Sequence, residues 1–210
     1  MFFTFFIAHF VLPLLFKTEV SGMTIDDDIK ACIETLNAGG LILYPTDTIW
    51  GIGCDATCPD AVKRVYNLKK RADSKALIVL LDTAERLDHY VVDVPPMARE
   101  LIDVAVKPLT IIYDGAFNVA HNLLGENDTL GIRIPHDEFA HRLCASFGKP
   151  IVSTSANVSG HSTARTFSEI DPLIKQGVDY VVKYRQGDNS PHVASNIIML
   201  SSDGTFKIIR

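Results

Sequence analysis

Apolar positions recur along this chain with two different periods. At Ile29, Ile33 and Leu36 they return every three or four residues, which predicts an amphipathic helix. Thr24 or Asp26 can cap its start, and Gly39-Gly40 can end it, since glycine accepts the left-handed turn of a helix terminus. Val62, Val65 and Leu68 repeat the spacing after Pro59-Asp60 and predict a second helix. Pro95-Pro96 opens a third, running through Val104, with proline in the first turn where its missing N–H is not needed. A fourth covers 139–147 and stops at Gly148, and a short fifth covers 167–175. Between them lie short continuous apolar runs at 41–44, 76–81, 109–113, 130–134 and 151–154, which read as strands. The run at 76–81 reads as buried on both faces. Pro45 ends the first strand, and 46–53 reads as a loop. Three more strands, at 179–184, 196–200 and 206–209, finish the chain.

Helices and strands alternate early, and strands cluster late. That order predicts an α/β fold: a mixed, twisted β-sheet with helices packed on it. A purely doubly wound topology is disfavoured, because the last strands have no crossover helices between them.

Composition adds bounds. With 210 residues, 47% hydrophobic and 21% charged, the chain suits an ordinary soluble globular protein, read as one domain over 23–210. Residues 1–16 form a nearly uncharged apolar run, too short for a confident membrane span. No basic stretch precedes it, and Lys17 and Glu19 stand where a cleavage site wants small residues. Met23-Thr24-Ile25-Asp26 looks like a natural start with a helix cap, so residues 1–22 read as an over-long start assignment. Cys32 and Cys144 fall on apolar helix faces and read as core. Cys54 and Cys58 have no second Cys/His pair at zinc-like spacing, so no protein-bound metal is expected. So few cysteines make no disulfide framework, which points to a reducing, cytoplasmic compartment.

The net charge of −5 argues against broad nucleic-acid binding. Against that background Lys69, Lys70, Arg71 and Lys75 place four cations within seven residues. Lysine offers a mobile point charge and arginine a planar fork, and phosphate oxygens accept both. The alternative is a solvated charge run at a helix C-terminus, where cations suit the dipole. The chain has neither a dinucleotide-binding glycine fingerprint nor a Walker-type loop. Any nucleotide site is therefore built another way. Two further polar segments follow apolar strands: Pro45-Thr46-Asp47-Thr48-Ile49-Trp50-Gly51 and Ser153-Thr154-Ser155-Ala156-Asn157-Val158-Ser159-Gly160. Strand ends are where open α/β sheets hold ligands.

In order and spacing these segments resemble the YrdC-like threonylcarbamoyl-AMP synthases, enzymes of tRNA modification. Tyr44-Pro45-Thr46-Asp47-Thr48-x-x-Gly51 resembles that family's signature, Lys69-x-Arg71 its Lys-x-Arg element and Ser155-x-Asn157 its Ser-x-Asn element. Thr129-Leu130-Gly131-Ile132-Arg133-Ile134-Pro135 is similar to its strand ending in Arg-x-Pro. Ser195-Asn196-Ile197-Ile198, with the terminal Arg210, is similar to its late strand and following arginine. The resemblance covers residues 24–210 and implies a twisted, mostly open sheet with a concave cationic cleft. It also implies a reaction: L-threonine, bicarbonate or CO2, and ATP give threonylcarbamoyl-adenylate and pyrophosphate. Handed to a tRNA threonylcarbamoyltransferase complex, that product serves N6-threonylcarbamoylation of tRNA adenosine 37. Mg²⁺ would ride with the triphosphate, and tRNA contact remains open.

By matched position, the resemblance makes Lys69, Arg71 and Arg133 the residues that carry the reaction. It makes Thr48, Arg133 and Ser195 candidates for threonine, and Lys69, Arg71 and Lys75 candidates for ATP phosphates. Thr129, Ser155, Asn157, Thr163 and Arg210 are candidates for the remaining nucleotide contacts. Each has a plainer reading. Thr48 could be a turn residue, Arg133 an ordinary strand residue, Asn157 a cap on its own loop, and Arg210 a frayed terminus. His136 and His141 invite a metal reading, but His141 reads as a partly buried helix side chain. Trp50 stands where the family usually has tyrosine and either walls the threonine or packs in the core. Ala72 replaces the family's common proline after Arg71, which loosens that loop. The competing function is a non-catalytic module for double-stranded RNA or tRNA, but that would need basic residues spread over a long face.

Overall fold

The computed structural model describes residues 24–70, 77–190 and 194–210. Thr24 caps α1 (Ile25–Asn37): its hydroxyl accepts from the Asp27 amide at 3.2 Å, and the Asp27 carboxylate accepts from the Thr24 amide at 2.9 Å. This reciprocal pair satisfies two of the donors a helix start leaves open. Pro59 opens α2 (Pro59–Lys69), which ends with Lys70 in the left-handed region at φ 48°. The remaining helices are α3 (Pro96–Val104), α4 (Glu138–Phe147) and α5 (Pro172–Gly177). Asp137 caps α4 through the Ala140 amide at 2.9 Å, and Gly148 ends it at φ 71°.

Among the described residues nine strands form a single sheet: β1 (Ile42–Tyr44), β2 (Gly51–Gly53), β3 (Ile78–Leu80), β4 (Leu109–Tyr113), β5 (Leu130–Arg133), β6 (Ile151–Ser155), β7 (Tyr180–Val181), β8 (Asn196–Leu200) and β9 (Phe206–Ile208). Their order is β7-β1-β2-β6-β3-β5-β4-β8-β9. The pairs β1/β7, β3/β5 and β4/β8 are parallel and the other five antiparallel, so the sheet is mixed as expected.

Register sorts the side chains onto two faces, because residues paired across a ladder point the same way and neighbours along a strand point oppositely. One row runs Ile52, Val152, Val79, Ile132, Ile111 and Ile198, and all six are buried in the core. The other row runs Gly51, Ser155, Ser153, Ile78, Gly131, Arg133, Thr110 and Ile197. That second row carries the polar chemistry.

Five expectations need correction. Residues 51–53, expected as loop, form β2, which pairs with β1 and β6; the Tyr44 ring lies so close that a Cβ on Gly53 would sit 2.8 Å from its Cε1. The fifth helix begins at Pro172 rather than 167, because the Asp171 carboxylate caps it through the Leu173 amide at 2.8 Å. The strand expected over 179–184 shrinks to Tyr180–Val181. Beyond it, the amides of Lys183 and Tyr184 donate to the buried Asp28 carboxylate instead of a neighbouring strand. In the run read as buried on both faces, Ile78 is only partly buried, since it lies on the second row; Ala76 falls outside the described residues. His141 lies exposed on α4 rather than partly buried. No described helix is long and apolar enough to cross a membrane.

Candidate active site

The second row floors a cavity of about 220 Å³. Its wall is completed by the loop between β1 and β2, the Thr163 segment and the Ala194-Ser195 approach to β8. The volume lies below the ~300–1,000 Å³ of sites that hold drug-sized ligands, so it suits one small metabolite such as an amino acid. A nucleotide would have to extend beyond it.

Arg133, at the C-terminal end of β5, is 4% exposed, which is unusual for arginine without partners. Its Nη1 donates to the Thr48 hydroxyl at 3.1 Å, and its Nη2 lies 3.5 Å from Asp47 Oδ1. Asp47 is itself 9% exposed at the side chain, and its carboxylate oxygens accept no hydrogen bond among the described residues. The result is a buried, loosely held ion pair at the base of the cavity. Thr48 is held in turn by Thr46, whose hydroxyl oxygen lies 2.9 Å from that of Thr48. Across the cavity, Ser195 shares a 2.9 Å hydrogen bond with Thr110. Its carbonyl accepts from Arg210 Nε at 3.1 Å and Nη2 at 2.9 Å. The terminal arginine is therefore clamped on the site rather than frayed.

Lys69 is only 1% exposed, and its ammonium donates to the carbonyls of Ser155 and of Asn157, the latter at 2.8 Å. Its own carbonyl accepts from the Ser159 amide at 2.9 Å. The last turn of α2 is thus stitched to the loop after β6. Lys69, expected as a phosphate contact, is not among the residues that line the cavity. Burial pushes the Tyr44 hydroxyl, packed beside the glycines of β2, well above its ordinary ionisation range, so it stays neutral. Trp50 lines the cavity and packs on Phe167 at a ring-centroid distance of 4.8 Å.

The fold brings together Thr48, Arg133, Ser155, Thr163, Ser195 and Arg210 around one cavity. Three expected residues stand apart from its lining. Lys69 is bound to the carbonyls of Ser155 and Asn157. Thr129 lies just before β5, four residues ahead of Arg133, and does not line the cavity. Asn157 turns its amide nitrogen to the carbonyls of Val158 and His161 at 3.1 and 2.8 Å, and its buried Oδ1 has no hydrogen-bond partner among the described residues. Arg71 and Lys75 lie outside the described residues. Sequence reasoning did not single out Thr46, Asp47, Thr110 or Ser153. The first two sit inside the quoted signature, but their roles depend on burial. Among the described residues, no three His, Cys, Asp or Glu side chains cluster as metal ligands would.

Comparison with known proteins supplies an independent line. A family model described as Telomere recombination, spanning Sua5, YciO and YrdC proteins, matches residues 34–210. The threonylcarbamoyl-AMP synthase of Pseudoalteromonas translucida is 34% identical over 171 residues, 80% of this chain and 91% of that protein. That of Saccharophagus degradans is 32% identical over 80% of this chain and 90% of its own. Among solved structures, P. abyssi Sua5 complexed with L-threonine aligns with TM-score 0.73 and 25% identity, covering 82% of this chain. This chain spans half the length of that Sua5. E. coli YciO shares the fold at TM-score 0.73 and 23% identity, with 89% of each chain covered.

Proposed function

The chain belongs to the Sua5/YciO/YrdC family, and we propose that it is a threonylcarbamoyl-AMP synthase. L-threonine, bicarbonate and ATP would give threonylcarbamoyl-adenylate, pyrophosphate and water. The observation that carries this reading is the convergence of Thr48, Arg133 and Ser195, from three distant segments, on a cavity sized for an amino acid. Arg133 offers its guanidinium to the threonine carboxylate. Ser195 and Thr48 flank it with uncharged polar groups that can orient the rest of the molecule.

The triphosphate lies outward of that cavity. Arg71 and Lys75 take its phosphates, Ser155, Thr163 and Arg210 the nearer nucleotide atoms, and Lys69 holds the loop that presents Ser155. Thr129 and Asn157 contact the nucleotide only where it reaches past the cavity. Mg²⁺ arrives with ATP and keeps phosphate and water ligands. Transfer to the α-phosphorus needs alignment and charge neutralisation rather than a covalent protein nucleophile. We place the reaction in the cytoplasm, carried by residues 23–210 as one domain, with the adenylate handed to a tRNA threonylcarbamoyltransferase complex.

Pyrophosphate release from ATP, measured with and without L-threonine and bicarbonate, tests the proposal. Release that requires both, with a threonylcarbamoyl-adenylate mass, is expected. Release indifferent to threonine would overturn it.

A further inference from the structure

Thr46 does not line the cavity, yet three hydrogen bonds meet at its buried hydroxyl. It donates to the Ile49 carbonyl at 2.8 Å, which uses its single proton. Its oxygen accepts from the Thr48 amide at 3.1 Å. In the remaining contact, 2.9 Å from the Thr48 hydroxyl, Thr46 can therefore only accept. Thr48 must donate its proton to Thr46. The Thr48 oxygen already accepts from Arg133 Nη1 at 3.1 Å, which leaves one lone pair and no proton for anything in the cavity. The chain of donors runs one way, from Arg133 to Thr48 to Thr46 to the Ile49 carbonyl.

Resting on the reading of this cavity as the amino-acid site, we propose that Thr46 is a positioning residue that makes Thr48 an acceptor for the substrate α-amine. The match is geometric. An α-amino acid carries an acceptor oxygen and a donor nitrogen on adjacent carbons. The protein offers a donor nitrogen on Arg133 and an acceptor oxygen on Thr48, 3.1 Å apart. The polarity also serves the chemistry. An amine that donates N–H to Thr48 keeps its own lone pair free to attack the carbon of CO2. A Thr48 that donated would bind that lone pair and block the nucleophile. The amine's second N–H proton leaves to solvent as the carbamate forms.

Isothermal titration of L-threonine into the full chain, with steady-state kinetics, reads the effect. Thr46→Val keeps the branched shape and frees the Thr48 proton. We expect the threonine dissociation constant to rise about tenfold, equivalent to ~1.4 kcal/mol, and kcat to fall, with the ATP KM unchanged. Thr46→Ser restores all three hydrogen bonds and should return both values to near wild type. Equal losses for threonine and ATP in both variants would mark Thr46 as merely structural and overturn the proposal. Thr48→Val separates the two levels. If it leaves threonine binding intact, the site itself is misplaced; if it abolishes binding while Thr46→Val does not, only the relay is wrong. Wild-type protein gives a measurement independent of any variant's folding. Among competitors of one carbon skeleton, L-2-aminobutyrate should bind tightest, butyrate less and 2-oxobutyrate least, because a keto oxygen would face the Thr48 lone pair. Binding of 2-oxobutyrate at or above the level of butyrate would refute an acceptor-only Thr48.

Discussion

Replacing Lys69 by methionine tests whether this lysine is a phosphate ligand or a stitch. Methionine keeps most of the stem and removes the charge. The side chain is 1% exposed, and its ammonium serves the carbonyls of Ser155 and Asn157. Hydrogen bonds to a charged group contribute about 1.5–3 kcal/mol each, and a carbonyl left buried and unpaired adds its own desolvation penalty. Losing both should therefore cost the fold at least ~3 kcal/mol, which in a chain of this size lowers Tm by roughly 6–12 °C. Because Ser155 lines the cavity, its loop should loosen as well. The KM values for ATP and for threonine should then rise together. The assay is a thermal melt beside two substrate titrations of pyrophosphate release. A variant melting within about 2 °C of wild type, with its defect confined to ATP, would show that the Lys69 ammonium reaches phosphate and that the stitch is secondary.

Two further outcomes follow from buried groups. Asp28, wholly buried, accepts from the Tyr180 hydroxyl at 2.6 Å and from the amides of Lys183 and Tyr184. Asp28→Asn turns one acceptor oxygen into a donor against those donors and should destabilise the fold by about 3 kcal/mol in urea melts. Both KM values should stay unchanged; a shift in either would tie this corner to the cavity. Burial also pushes the thiols of Cys32, Cys54 and Cys144 above their ordinary value of 9.0. Raised folded pKa values mean that the unfolded chain loses these protons first. Their contribution is therefore complete below pH 9 and lost as pH climbs above it, on the order of 4 kcal/mol for each pH unit across three thiols. A urea midpoint that stays flat from pH 8 to 10 would contradict their burial.

Most of the elements are legible in the chain before folding, because each carries a local signal. Thr24 with Asp27, and Asp137 with Gly148, mark helix ends through bonds made within a few residues, and Pro59 marks one by its fixed φ and missing N–H. Apolar runs marked seven of the nine strands near their observed positions, and the motifs Thr46-Asp47-Thr48, Ser155-x-Asn157 and Arg133 pointed to a substrate site. Two of the misreadings arose where the partner is distant in sequence. Residues 51–53 read as loop because glycines carry no strand signal; they become a strand by pairing with β6, about 100 residues away, as well as with β1. The strand at 179–184 stopped early because Asp28, about 150 residues away, takes its amides.

Tertiary structure alone decided which candidates meet. Register put Arg133, Ser153 and Ser155 on one face and drew Ser195 beside Thr110, while Thr129, just ahead of the strand that carries Arg133, was left out of the cavity lining. Burial turned Lys69 from a surface cation into an internal tie. The physical reason is common to all of these. A side chain's chemistry is local, but its direction and its solvent are set by pairings across the whole sheet.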